Sequence, residues 1–178
     1  MKLILFLLIV ISTSYSKDVC KIDNKIMYSI LIKESYSRKD AGYPYIISFN
    51  NESDQSLIKK TKLNSYMLNS RNLDCKNKEL CEKILKSLVK HKITNLDLGP
   101  YQIHFDSHYK NVPLTTFFDL QKSYLFACNY VKSKIDKYGF NWFAIASYHS
   151  ETPKFNYIYQ KELKPIYKDL KNKELARN

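Results

Sequence analysis

The chain has 178 residues, with 29 basic against 17 acidic side chains, a formal charge of +12 and four cysteines. That length fits one domain with a sizeable core. The charge favours polyanionic partners, but its lysines and arginines are scattered, which speaks against nucleic acid, and no run after the N-terminal one is long enough to insert stably in a bilayer.

Residues 1–16 read as a secretory signal peptide. Lys2 supplies the positive start, residues 3–11 are apolar, and Ser14-Tyr15-Ser16 offers small residues at a cleavage site. Asp18-Val19 before Cys20 is the wrong context for a lipid anchor. The expected product is a periplasmic or secreted domain over residues 17–178, with Lys2 gone and the charge reduced from +12 to +11. An acidic cell-wall polymer or an anionic membrane surface would suit that charge. All four cysteines lie in this part, and an even count in an exported chain points to disulfides. Three pairings are open. A small local loop favours Cys75 with Cys81, which leaves Cys20 with Cys128. The spacings match no usual zinc pattern.

Asp23 or Asn24 caps an expected helix carrying Ile26, Met27, Ile30 and Leu31 on one face, running to about Ser35. A polar loop with Gly42 follows. Tyr45-Ile46-Ile47-Ser48-Phe49 reads as a strand, with residues 62–67 returning as its partner in a small hairpin. Leu80, Cys81, Ile84, Leu85, Leu88 and Val89 make a helical face between Asn77 and His91. Phe117, Leu120, Tyr124, Cys128, Val131 and Ile135 make a longer one. Trp142, Phe143, Ile145 and Ala146 suggest a short buried helix. Thr152-Pro153 starts another, whose charged tail from Pro165 is expected to fray. The fold class is therefore mainly α: a helical α+β domain with one small β-hairpin.

Glu34 is the pivotal candidate for chemistry. It sits in the last turn of the first helix, where the helix dipole disfavours a carboxylate. Burial among Tyr and Ile side chains would raise its pKa further, toward the range where a carboxylic acid donates a proton near neutral pH. An exposed helix Glu would do none of this. Three segments set its context: Ile32-Lys33-Glu34-Ser35, Asn95-Leu96-Asp97-Leu98-Gly99-Pro100-Tyr101-Gln102-Ile103, and Ala146-Ser147-Tyr148-His149-Ser150-Glu151-Thr152-Pro153.

Together these segments resemble the active-site motifs of the lysozyme-like lytic transglycosylases, which cut the glycan strands of bacterial peptidoglycan. Glu34-Ser35 matches the family's Glu-Ser at a helix end. Pro44-Tyr45-Ile46-Ile47-Ser48 matches its Pro-x-x-x-Ser. Gly99-Pro100-Tyr101-Gln102-Ile103 stands for Gly-Leu-Met-Gln-Ile, and Ala146-Ser147-Tyr148-His149-Ser150 for Ala-x-Tyr-Asn-x-Gly. Tyr101 and His149-Ser150 depart from the family pattern. The resemblance runs from Cys20 to about Tyr159 and implies a lysozyme-like fold. It also supports pairing a Cys before the first helix with one on a later helix. The stretch 50–94 resembles the insert of the small exported members found with secretion systems and pili, which suggests such a machine as partner.

The resemblance implies a single acid/base, Glu34, and no cofactor. Glu34 would protonate the oxygen between N-acetylmuramic acid and N-acetylglucosamine, then take the proton of the muramic 6-hydroxyl as a 1,6-anhydro ring closes. Ser48 and Gln102 would bond the acetamido group or Glu34, Tyr148 would orient Glu34, and Tyr101 would pack on a sugar. Ser35 and His149 are possible supports. Asp97 reads as a turn brace and Glu151 as a helix-start carboxylate. His104, His108 and His149 lack metal spacing, so no metal is expected. Two other readings stand beside this one. A muramidase of the same fold would use water and a second carboxylate, Asp97 or Glu151. A wall-binding protein would turn nothing over.

Overall fold

The computed structural model describes residues 20–35, 38–59 and 61–176. The signal-peptide reading of residues 1–16 lies outside them. Among the described residues eight α-helices and four strands follow in the order α1 (Asn24–Glu34), β1 (Ile46–Phe49), α2 (Glu52–Ile58), β2 (Asn72–Asp74), α3 (Lys78–Lys90), β3 (Leu96–Leu98), β4 (Ile103–His104), α4 (Phe105–His108), α5 (Leu114–Phe117), α6 (Leu120–Tyr138), α7 (Trp142–Ala146) and α8 (Pro153–Leu175). The fold is mainly helical, an α+β arrangement with one small antiparallel sheet.

The β part is larger than a single hairpin. Its four strands run in the order β2-β1-β3-β4, all antiparallel. Residues 62–67 do not pair along β1: Lys62–Tyr66 is a 3₁₀ helix capped by Thr61, and Met67 touches Leu73 through one bridge. Asn72–Asp74 takes that edge instead, with Ile47 opposite Leu73. The run of buried residues in β1 fits its central place, with β2 on one side and β3 on the other.

Polar caps set the helix bounds. The side chain of Asp23 accepts from the Lys25 N–H, Asn77 from the Leu80 N–H, and Asp119 from the Lys122 N–H. Phe117 belongs to α5, so the long helix begins only at Leu120. Thr152 stands at the N-cap of α8 with Pro153 inside the first turn, but its hydroxyl makes no cap bond.

The tail beyond Pro165 does not fray. Helix α8 passes through Pro165, whose outer-surface position lets the freed carbonyl face water, and continues to Leu175. It is fastened to α1 by Lys25–Glu174 at 2.8 Å, Lys33–Glu162 at 3.0 Å and a Tyr167 hydroxyl donating to Asp23 at 3.1 Å. Two disulfides staple the domain. Cys20–Cys128 ties the segment before α1 to α6, and Cys75–Cys81 closes the β2–α3 turn. The core they surround joins Met27 and Ile30 of α1 to Ile47 and Phe49, Leu85, Leu96 and Leu98, Phe117 and Leu163. Among the described residues no helix is long and apolar enough to cross a membrane.

Candidate active site

A cleft of about 870 Å³ opens between the end of α1, the exposed side of the sheet, α6 and α8. Glu34 is the last residue of α1 and lines this cleft. The helix ends there because Ser35 turns extended. Its hydroxyl donates to Leu31 O at 2.6 Å and accepts the Gly42 N–H at 2.9 Å. Ser35 thus anchors the returning loop and fixes where Glu34 points.

The carboxyl of Glu34 accepts a 2.6 Å hydrogen bond from the hydroxyl of Tyr159 on α8. Burial is the dominant influence on it and pushes the pKa up from 4.5 to about 7, although the cleft leaves part of the side chain open to water. The Tyr159 bond and the positive charges of Lys33 and Arg71 pull it down, while the charge of Asp97 pushes it up. A carboxyl so raised exchanges its proton near neutral pH, which suits a group that must both give and take one.

Tyr148 takes a different role from the expected one. Its hydroxyl donates to the backbone carbonyl of Tyr101 at 2.6 Å, so it ties the turn after α7 to the β3–β4 turn. It still lies close to Glu34, whose charge adds to burial in raising the phenol's pKa well above its ordinary value. Orientation of Glu34 falls to Tyr159.

Tyr101 is not available to a sugar. Its side chain is 2 % exposed, packed 6.3 Å from the Tyr124 ring and turned away from the cleft. Neighbouring Gln102 does reach the cleft, from a left-handed backbone at φ 46°. Its amide donates to Gly99 O at 2.8 Å and its carbonyl lies 2.5 Å from the hydroxyl of Ser48. Ser48 also lies 2.6 Å from Asn72 Oδ1, and its single proton serves one of the two carbonyls at a time. Ser48 and Gln102 therefore form one polar unit on the sheet face, and either can turn to a ligand. Gly99 permits this turn: at φ 71° a Cβ would stand 1.7 Å from the carbonyl oxygen of Phe117.

His149 is exposed at the cleft and stacks flat on Tyr159, with centroids 4.8 Å apart and planes 8° from parallel. Partial burial against that ring holds the imidazole below its ordinary 6.5, so it is neutral at pH 7. Buried Asn156 shapes the bend that presents it, donating from its side-chain amide to Phe143 O and Ser150 O.

Two further carboxylates line the cleft, and each faces a cation. Asp97 on β3 is 3.1 Å from Arg71, and Glu162 on α8 is 3.0 Å from Lys33. Glu151 lies apart, held by Lys134, Lys137 and Tyr138. Among the described residues no cluster of His, Cys, Asp and Glu could hold a metal ion.

The structure thus gathers Glu34, Ser35, Ser48, Gln102, Tyr148 and His149 around one cleft, leaves out Tyr101, and adds Tyr159, Arg71 and Asn72. Tyr159 hides among fifteen tyrosines. The one local sign of it is its place in the Asn156, Tyr159, Leu163 stripe, the buried face of α8. No family model, curated protein or solved structure matches the chain.

Proposed function

We propose that this protein is an exported peptidoglycan lytic transglycosylase with Glu34 as its single acid/base. The observation that carries the reading is the state of Glu34. It is the cleft carboxyl without a cationic partner among the described residues, and burial pushes its pKa up to about 7. As an acid it gives its proton to the glycosidic oxygen between N-acetylmuramic acid and N-acetylglucosamine. As a carboxylate, steadied by the Tyr159 hydroxyl, it accepts the proton of the 6-hydroxyl while that oxygen closes on the anomeric carbon. Ser48 and Gln102 meet the acetamido group, and His149 borders the same sugar. Two disulfides support an oxidising compartment such as the periplasm. A secretion or pilus machine needing local wall opening is the partner that the sequence resemblance suggests.

A muramidase is the second reading, favoured by one observation: Asp97 shares the cleft with Glu34 and its charge is felt there. Its ion pair with Arg71 argues for the first reading, because the guanidinium 3.1 Å away occupies the carboxylate that would have to receive a proton from water.

The test is a digest of purified peptidoglycan with the processed protein and with Glu34→Gln, read by mass spectrometry. Products lighter by one water than hydrolytic muropeptides, absent with the variant, are expected. Reducing-end products would replace the transglycosylase by a muramidase. No product from folded wild type, with wall binding retained, would leave a binding protein.

A further inference from the structure

Helix α8 carries a feature that the cleft does not use. Lys154, Tyr157, Lys161, Lys164, Lys168, Lys171 and Leu175 recur at alternating steps of three and four residues. That spacing lays them in one straight stripe along the helix. All seven are exposed. From Lys154 to Lys171 the stripe is about 26 Å long at 1.5 Å per residue.

The acidic residues of α8 are segregated from it. Glu162 pairs with Lys33, Asp169 with Lys173 and Glu174 with Lys25. None of the five stripe lysines makes an ion pair among the described residues. Lys161 lies 4.7 Å from the centre of the Tyr157 ring, and Lys164 lies 5.7 Å from that of Trp142. Apolar side chains stand among these cations: Tyr157 is 58 % and Leu175 67 % exposed. Five unneutralised charges in a line cost self-repulsion in an isolated domain. Complementary negative charge removes that cost.

We propose that the outer face of α8 docks the protein reversibly on an anionic phospholipid bilayer. A planar array of phosphate headgroups meets a straight stripe of lysines all at once. The exposed Tyr157 and Leu175 add what a soluble polyanion has no place for, apolar contact at the boundary between headgroups and acyl chains. The other side of the same helix presents Tyr159 and Glu162 to the cleft, so the docked helix leaves the cleft open beside the membrane.

The experiment is co-sedimentation of the processed, disulfide-bonded chain with vesicles of phosphatidylglycerol and phosphatidylethanolamine, and with phosphatidylcholine vesicles. A quadruple variant (Lys154, Lys161, Lys168 and Lys171 each →Gln) is compared with one in which Lys83, Lys86, Lys90 and Lys92 are each →Gln. Both lose the same charge, and equal melting temperatures establish that both fold. At roughly fivefold per lysine near an anionic surface, the α8 variant is expected to bind several hundred-fold more weakly. The α3-side variant is expected to lose less than about tenfold, binding to phosphatidylcholine to be slight, and high salt to release the protein. Equal losses in the two variants would overturn the proposal in favour of net charge alone. So would no binding of wild type, or binding to soluble polyglutamate with none to vesicles.

Discussion

The state of Glu34 has a consequence for stability that needs no substrate to measure. Its carboxyl titrates at about 7 in the folded protein against an ordinary 4.5. Below 4.5 it is protonated in both folded and unfolded chains, and the folded state carries its full contribution. As pH rises, the unfolded carboxyl ionises first, the balance tilts toward unfolding, and the contribution is gone once pH passes about 7. At about 1.36 kcal/mol per pH unit, the loss is about 3 kcal/mol. Glu34→Gln keeps the size of the side chain and an oxygen for the Tyr159 hydroxyl but has nothing to ionise. The stability of the variant relative to wild type should therefore climb by about 3 kcal/mol between pH 4 and pH 8. Near pH 8 that is a melting temperature higher by roughly 6–12 °C for a domain of this size. Urea unfolding of both proteins at half-unit pH steps reads it directly. Every other titrating group cancels in the difference. A difference that stays flat across this range would refute the raised pKa and the buried setting it comes from, whatever the catalytic outcome.

Tyr159→Phe removes the bond that favours the charged form, so the Glu34 pKa should rise above 7 in a carboxyl NMR titration, and the alkaline limb of cleavage should move with it. Cleavage itself should fall roughly 10–100-fold through lost orientation. Asp74 is fully buried with Lys39, Lys76 and the Tyr43 hydroxyl, and these partners overcome its burial and hold it down at about 2. Its contribution is present above the ordinary 3.8 and is lost as pH falls toward 2. Asp74→Asn should cost about 2–4 kcal/mol at pH 7 by urea unfolding and flatten the acid limb of wild-type stability. Removing Cys20–Cys128, which spans 108 residues, should cost about 4–5 kcal/mol in thermal or urea melts, against about 2 kcal/mol for Cys75–Cys81, which spans 6.

Periodicity and caps make much of the helical frame legible. The apolar stripe after Asp23 gives α1 and places Glu34 in its last turn, and the stripe between Asn77 and His91 gives α3 to the residue. What escaped is what depends on distant partners. Strand β3 is three residues long and exists because Ile47 and Phe49 pair with Leu98 and Leu96, about fifty positions away. No local pattern marks so short a strand. The return strand of the expected hairpin lies too early, because Thr61 caps a 3₁₀ turn that takes up residues 62–66. The charged tail of α8 reads as loose in isolation and is ordered because Glu174 meets Lys25 of α1 and the Tyr167 hydroxyl bonds Asp23. Tyr101 and Tyr148 show the same limit at the site. Residue type alone does not say which tyrosine faces the cleft and which is packed behind it.

Three carboxylates in one cleft need a reason to behave differently, and the sheet and helices supply it. Arg71 is delivered by the turn entering β2 and Asp97 by β3, on opposite sides of β1, so their ion pair spans the strand that carries Ser48. Lys33 and Glu162 pair because α1 and α8 lie side by side. Glu34 is one residue beyond Lys33, at the helix end, and receives a neutral hydroxyl where the others receive a cation. A phenol stabilises a carboxylate without offsetting its burial, so the proton stays within reach at neutral pH. The same arrangement sets the weight of the two catalytic readings. Water activation needs a free carboxylate across the bond, and Asp97 meets that need only after Arg71 lets go. Intramolecular attack by the 6-hydroxyl needs only Glu34. The chemistry that asks least of the geometry is the one that uses the cleft carboxyl that no cation holds among the described residues.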